Sequence, residues 1–243
     1  MDNKMHNYLS FGGGVNSVAL YLYLVEQETD FETVFVNHGT DWPETYEYFD
    51  MFQEWIGKRG YKPITVLMPD VSGINNLYDY CMKYKMVPST MRRWCTDKFK
   101  VSVIHKYYKK PCFNILGIDS GEAKRARISS NKGIENRYPL IEAEIDRQGC
   151  KSLIVKHGLP VPMKSGCYIC PFQRVGQWKE LRRTKPDLFC KAAELEKINM
   201  EYRRSIGKKP FPINYKKTLP VVVDEYQHFL AEEDEYPPCQ CSL

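Results

Sequence analysis

The 243-residue sequence has no apolar run that could cross a bilayer: the longest, Val18–Val25, falls far short of the ~20 residues a span requires. That run follows a glycine-rich loop rather than a basic start, so it does not read as a signal peptide either. Repeats and low-complexity tracts are missing too. So are the two most familiar phosphate signatures: no Gly-Lys-Ser/Thr pair follows the glycines, and the GxGxxG spacing does not occur. These absences predict a cytoplasmic chain with no membrane partner. What is present, 43% hydrophobic and 27% charged residues, is ordinary for a soluble globular enzyme.

Nine cysteines gain weight in a reducing compartment, where clusters of them point to metal binding or thiol chemistry rather than to a disulfide framework. Cys81 and Cys112 sit in apolar stretches and read as small buried hydrophobes. The net charge of +5 is modest, with basic clusters at Lys106–Lys110, Lys179–Lys185 and Tyr202–Lys217. Such charge suits a solvated surface, an anionic nucleotide or a nucleic acid backbone, and by itself does not choose.

Apolar patterning predicts strands over Asn7–Phe11, Thr33–Asn37, Pro63–Met68 and Phe113–Gly117. Helices are predicted over Asn16–Glu28, Pro43–Lys58, Gly73–Met86 and Thr96–Lys109. Alternation of this kind implies an α/β fold with an open, mostly parallel sheet and helices on both faces, Rossmann-like in type. Ligands then belong at the carboxyl ends of the strands, just after Phe11, Asn37 and Gly117. From about Leu153 prolines interrupt the pattern, and further helices are expected over Arg174–Thr184 and Pro186–Arg204. The simplest division is a nucleotide-binding domain over 1–152 and a mostly helical, cysteine-bearing portion over 153–243.

Ser10-Phe11-Gly12-Gly13-Gly14-Val15-Asn16-Ser17 joins the first strand to the first helix. Glycines let the backbone approach a ligand, and the helix start offers unsatisfied N–H groups and a positive dipole end. An anionic phosphate fits there, with the Ser10 and Ser17 hydroxyls able to donate.

This loop resembles the pyrophosphate loop of the phosphoadenosine phosphosulfate (PAPS) reductase and ATP-pyrophosphatase superfamily, usually Ser-Gly-Gly-Lys-Asp-Ser. Gly13, Gly14 and Ser17 match; Val15 replaces lysine and Asn16 replaces aspartate. An amide cannot hold Mg²⁺ as a carboxylate does, so the loop predicts nucleotide binding first and an accompanying Mg²⁺ only second. The likeness continues through His38-Gly39-Thr40-Asp41-Trp42-Pro43-Glu44-Thr45, Arg93-Trp94-Cys95 to Lys100, Gly117-Ile118-Asp119-Ser120-Gly121-Glu122 to Arg125, and Tyr138-Pro139-Leu140-Ile141. It implies an adenine nucleotide, ATP or PAPS, bound by Ser10, Gly12, Gly13, Gly14, Asn16, Ser17, His38, Gly39, Glu44, Gly117 and Arg125. Glu44 and Glu122 would meet ribose or a metal, and Lys100, Arg125 and Arg127 would neutralise phosphate or sulfate.

Ser165-Gly166-Cys167-Tyr168-Ile169-Cys170-Pro171 places two thiols on a tight turn. One such pair is a zinc half-site, a redox dithiol or the corner of an iron–sulfur cluster. The resemblance implies a four-iron cluster with Cys95 as the middle ligand beside Cys167 and Cys170, and zinc as the alternative. Cys239 or Cys241 is the expected fourth ligand, with Cys150 and Cys190 weaker candidates, or one iron stays open.

Three functions follow. The first is nucleotide-dependent sulfur transfer to a tRNA, DNA or small substrate, with a thiol or sulfur-donor protein as partner and Lys100 and Glu122 at the reacting centre. The second is PAPS or adenylyl-sulfate reduction by a tail thiolate, Cys239 or Cys241, although the Glu-Cys-Gly tail of those reductases is replaced by Pro-Pro-Cys-Gln-Cys. The third is a repurposed nucleic-acid-binding or base-acting protein with a structural metal, in which Trp178, Tyr202 and Phe211 stack on bases.

Overall fold

A computed structural model of the chain describes residues 5–213 and 217–225. Cys239 and Cys241, expected as nucleophiles and as metal ligands, lie outside the described residues. Five strands form one open, all-parallel sheet in the order β3-β2-β1-β4-β5: β1 His6–Phe11, β2 Glu32–Val36, β3 Thr65–Leu67, β4 Cys112–Leu116 and β5 Ile134–Arg137. The order turns back between β1 and β4. That reversal is the topological switch point where such sheets bind ligands.

Strand alternation explains the layers. Leu9, Phe11, Phe35 and Ile115 face one side, packing against α1 (Val15–Glu26), α2 (Pro43–Lys58) and, after the short α6 (Pro139–Glu142), α7 (Arg147–Lys156). Tyr8, Val34, Cys112 and Ile134 face the other, under Ile104 and Tyr108. Nine residues of α1 are buried, so it has no wet face and is clamped between the sheet and α7. The expected division at 152/153 therefore falls inside α7, a helix that packs with the sheet layer.

A third apolar cluster lies apart from the sheet. It joins α3 (Leu77–Lys83), Phe99, the Cys167–Ile169 turn, α8 (Val175–Thr184), α9 (Pro186–Ser205) and α10 (Leu219–Glu225). Trp178, offered above as a base-stacking residue, is fully buried in it and cannot reach a ligand. Two expected helices come out differently. The chain over 73–76 is held in a turn by Gly73 N–H donating to Asp70 at 2.9 Å, and the helix begins only after Asn76, whose side chain caps Tyr78 N–H at 2.8 Å. The helix expected from Thr96 is a composite of α4 (Trp94–Thr96), a π turn (Asp97–Val101) and α5 (Ser102–Tyr107). Among the described residues no helix is long and apolar enough to cross a membrane.

Candidate functional site

At the carboxyl ends of β1, β2, β4 and β5 lies a cavity of about 320 Å³, within the ~300–1,000 Å³ typical of ligand sites. Its floor is the glycine loop. Ser17, the third residue of α1, ties the turn by accepting from Gly14 N–H at 3.2 Å and donating to Gly14 O at 2.9 Å. The N–H groups of the helix's first turn have no intrahelical partner and remain for an anion. Gly117, at the end of β4, abuts this loop so closely that a Cβ would stand 3.0 Å from the backbone of Asn16 and Ser17. A Cβ on Gly14 would stand 2.7 Å from Ser165 Oγ, so the segment before the CxxC turn lies directly over the loop.

The cavity has two characters. Phe35, Val36, Leu116, Ile104 and Ile128 give it an apolar wall suited to a flat ring, while Lys100, Arg125, Arg127, Arg147 and Lys164 reach it as cations against the carboxylate of Glu122. Ser10 Oγ sits in a polar ladder, 2.9 Å from Asn114 Oδ1 and 3.0 Å from Tyr108 OH, and Asn114 continues to Asn136 at 2.9 Å. A phosphorylated, partly apolar ligand matches both halves.

Asn16 is the hub. Its amide nitrogen donates to Asp119 at 2.9 Å and to Glu122 at 3.4 Å, and its oxygen accepts from Arg147 at 2.7 Å. No flipped amide satisfies two carboxylates and a guanidinium, so the orientation is set by its partners. Arg125 forks onto both oxygens of Glu122 at 2.8 Å. Burial lifts the Glu122 carboxyl above its usual range although Arg125 works against it. The residues do not fit Mg²⁺ as protein ligands: the two carboxylates already receive N–H donors, and the position that would complete an acidic cluster is an amide.

A second, smaller cavity of about 30 Å³ is lined by Cys95, Cys167 and Cys170 with His38, Arg93 and Lys100. An antiparallel bridge between Asp41 and Cys167 holds the CxxC turn against the end of β2, through Trp42 N–H to Gly166 O and Tyr168 N–H to Thr40 O, each 2.9 Å. Burial pushes the Cys167 and Cys95 thiols up. From Cys167 a buried polar chain runs inward: Sγ donates to Thr40 Oγ1 at 3.0 Å, Thr40 meets His38 Nδ1 at 2.7 Å, and His38 Nε2 meets Asp41 at 3.3 Å. Burial alone would raise the Asp41 carboxyl, but His38 and Lys100 beside it hold it well below the usual carboxylate range.

Among the described residues no three His, Cys, Asp or Glu side chains gather closely enough to hold one metal ion. A single zinc, which needs four ligands on one centre, therefore finds no ready-made site here. A cluster binds each thiolate at a different iron, so its ligands stand further apart than those of one zinc, and Cys95, Cys167 and Cys170 all line this one cavity. Arg93 adds a further mark: beside this cavity its Nε and one terminal nitrogen are buried with no hydrogen-bond partner among the described residues. An anionic occupant would accept from them. Of the weaker fourth-ligand candidates, Cys150 is buried in the α1–α7 core with its thiol pushed up to about 12 by burial, and Cys190 is exposed on α9. Neither lines the cavity.

Ser10, Gly12, Gly14, Asn16, Ser17, Lys100, Gly117, Glu122 and Arg125 thus meet around the larger cavity. Gly13 turns with φ 70° against Thr45. Three expected nucleotide contacts fall elsewhere. His38 lines the cysteine cavity, Gly39 packs on Asn76, and Glu44 is paired with Lys185 at 2.6 Å. Arg147, Lys164 and Asn114 carry no local motif and were invisible to sequence reasoning, since they join the site across distances such as the 131 residues between Asn16 and Arg147. No protein-family model matches the chain, and no curated protein matches it either.

Proposed function

We propose that this chain is a PAPS reductase-like enzyme that binds an adenine nucleotide at the glycine loop and uses the neighbouring thiols for nucleotide-dependent sulfur transfer. One observation carries the reading: the two cavities share a wall. Lys100 lines both, and the segment that covers the glycine loop with Lys164 and Ser165 continues directly into Cys167 and Cys170. The π turn places Lys100 there, since one extra residue in the turn buries Phe99 while Lys100 faces the cavities.

In this reading a substrate oxygen attacks the α-phosphorus of ATP, and the bond from that phosphorus to pyrophosphate breaks. The loop N–H groups and Arg147 take up the charge that develops on the leaving pyrophosphate. Hydrosulfide released by a donor protein then attacks the activated carbon, the carbon–oxygen bond breaks, and AMP departs. Cys95, Cys167 and Cys170 would hold an iron–sulfur cluster, whose chemistry is to keep that sulfur at hand. Arg93 and Lys100 would offset the negative charge of the deprotonated thiols.

The test is anaerobic purification with iron, sulfide and zinc assays, followed by pyrophosphate release from ATP. Bound iron and sulfide that vanish in Cys95→Ala and Cys167→Ala, with pyrophosphate release in the presence of substrate, support the proposal. Sulfite release from PAPS that depends on Cys239 or Cys241 would assign the reductase chemistry instead.

A further inference from the structure

The chain's excess positive charge is not spread evenly. Residues 80–100 carry six lysines and arginines against one carboxylate, Asp97, and residues 202–209 carry four with no carboxylate. The whole chain is only +5, so the rest of it sums to a net negative charge, although Lys106–Lys110 and Lys179–Lys185 are further basic clusters within it. The fold brings the two together: Lys85 Nζ lies 5.4 Å from the Tyr202 ring centre, and Asn199 donates to Lys85 O at 2.8 Å.

Rings accompany this charge, linked through Tyr80, which is itself buried. Trp94, the residue before Cys95, is 5.7 Å from Tyr80, which is 4.5 Å from Tyr84. Tyr84 is 41% and Tyr202 38% exposed, so both can still receive a flat partner. Lys98 donates to Tyr80 OH at 3.0 Å, and Lys83 lies 5.6 Å from the Tyr84 ring. The track therefore leads from the exposed end of α9 to the rim of the cysteine cavity, where Arg93 and Lys100 stand.

We infer that this surface binds single-stranded nucleic acid, with the lysines and arginines on phosphates and Tyr84 and Tyr202 stacked on unpaired bases. A duplex hides its base faces, whereas an open strand offers a regular row of phosphates and exposed base faces together. The inference rests on the proposed function in one respect, since it names the macromolecule whose oxygen would be activated. The binding itself needs no turnover.

The experiment is fluorescence anisotropy of labelled single-stranded DNA and RNA, the matching duplex and polyglutamate, across a salt series without ATP. Single strands should bind best, with log affinity falling against log salt by about 0.7 per phosphate contacted. Lys83→Ala with Lys85→Ala should make that slope shallower by roughly 1.4. Tyr84→Ala with Tyr202→Ala should weaken binding about ten-fold or more at unchanged slope. Melting curves confirm that the variants fold, and a fluorescent ATP analogue should bind all of them as it binds the wild type. The RNA and DNA arms decide which strand is preferred. Polyglutamate binding as tightly as the strands, harmless tyrosine substitutions, or no strand binding at low salt would each overturn the inference. Strand binding retained by a protein that fails to bind ATP would overturn the proposed function and leave this surface standing.

Discussion

Asn16→Asp is the most informative single change, because it converts the hub from an amide that donates to two carboxylates into a third carboxylate. The wild-type amide nitrogen stands 2.9 Å from Asp119 and 3.4 Å from Glu122. At an effective dielectric of about 20, two unit charges at ~2.9 Å repel by about 6 kcal/mol before relaxation. Arg147, now 2.7 Å from the side-chain oxygen, offsets a comparable amount. Glu122 at 3.4 Å adds a second repulsion of about 5 kcal/mol before relaxation, so the lost N–H donation to charged acceptors, about 1.5–3 kcal/mol, is a lower bound that lowers the melting temperature of a chain this size by roughly 3–12 °C or more. The pH dependence has a definite sign. Crowded carboxylates raise one folded-state pKa above its unfolded value, so the deficit is largest at neutral pH and shrinks as acid protonates the cluster. A cation site also appears, so Mg²⁺ should raise the variant's melting temperature and leave the wild type unmoved. Differential scanning fluorimetry with EDTA or Mg²⁺ at several pH values reads all of this. A variant as stable as wild type, with no Mg²⁺ response, would refute the charge network.

Gly14→Ala should weaken nucleotide binding and lower stability, because the new Cβ meets Ser165 Oγ at 2.7 Å. Adding Ser165→Ala removes that oxygen and should restore most of both, a double-mutant cycle readable by calorimetry. Glu196, buried, accepts from Ile213 N–H at 2.9 Å and Leu219 N–H at 2.8 Å. Glu196→Gln turns one acceptor into a donor and should cost about 1–3 kcal/mol in urea unfolding. Burial raises the Glu196 pKa above its unfolded value, although both backbone hydrogen bonds oppose this. Its stabilising share is therefore full at acid pH and lost as pH rises through the raised value, a slope that the glutamine variant should lack. Lys100→Ala removes the cation 4.0 Å from Asp41 that both cavities share, and should weaken ATP binding and iron retention together rather than one alone.

The sheet core was legible because its residues alternate: β1, β2 and β4 each fall within a residue or two of the expected ranges. The short β5 and helix α7 were not seen. Ile134–Arg137 holds one buried residue, and α7 buries only Cys150 and Ile154, too little for a periodic signal. The glycine loop could be read as a phosphate site since its chemistry is contained in eight consecutive residues. What completes it could not. Arg147 and Asn114 are ordinary polar residues until the fold carries them to Asn16 and Ser10, and the pairing of Glu44 with Lys185 is equally long-range. Trp178 misled for the opposite reason: its basic neighbours suggested a surface, while its own position on α8 faces the third apolar cluster. The excess of positive charge in residues 80–100 and 202–209 was countable in the sequence, but the contact of the two segments through Lys85 and Tyr202 was not.

The claim on which the rest depends is that an adenine nucleotide sits on the glycine loop at the β1–β4 switch point. Isothermal titration of ATP into the wild type and into Gly117→Ala tests it, with circular dichroism to show that both are folded. Gly117→Ala drives a Cβ to 3.0 Å from the Asn16 and Ser17 backbone, which must shift the loop. The account predicts saturable one-to-one binding to the wild type, displaced by pyrophosphate and weakened at least ten-fold in a folded variant. No ATP binding by the wild type, or binding that the variant leaves untouched, would contradict it.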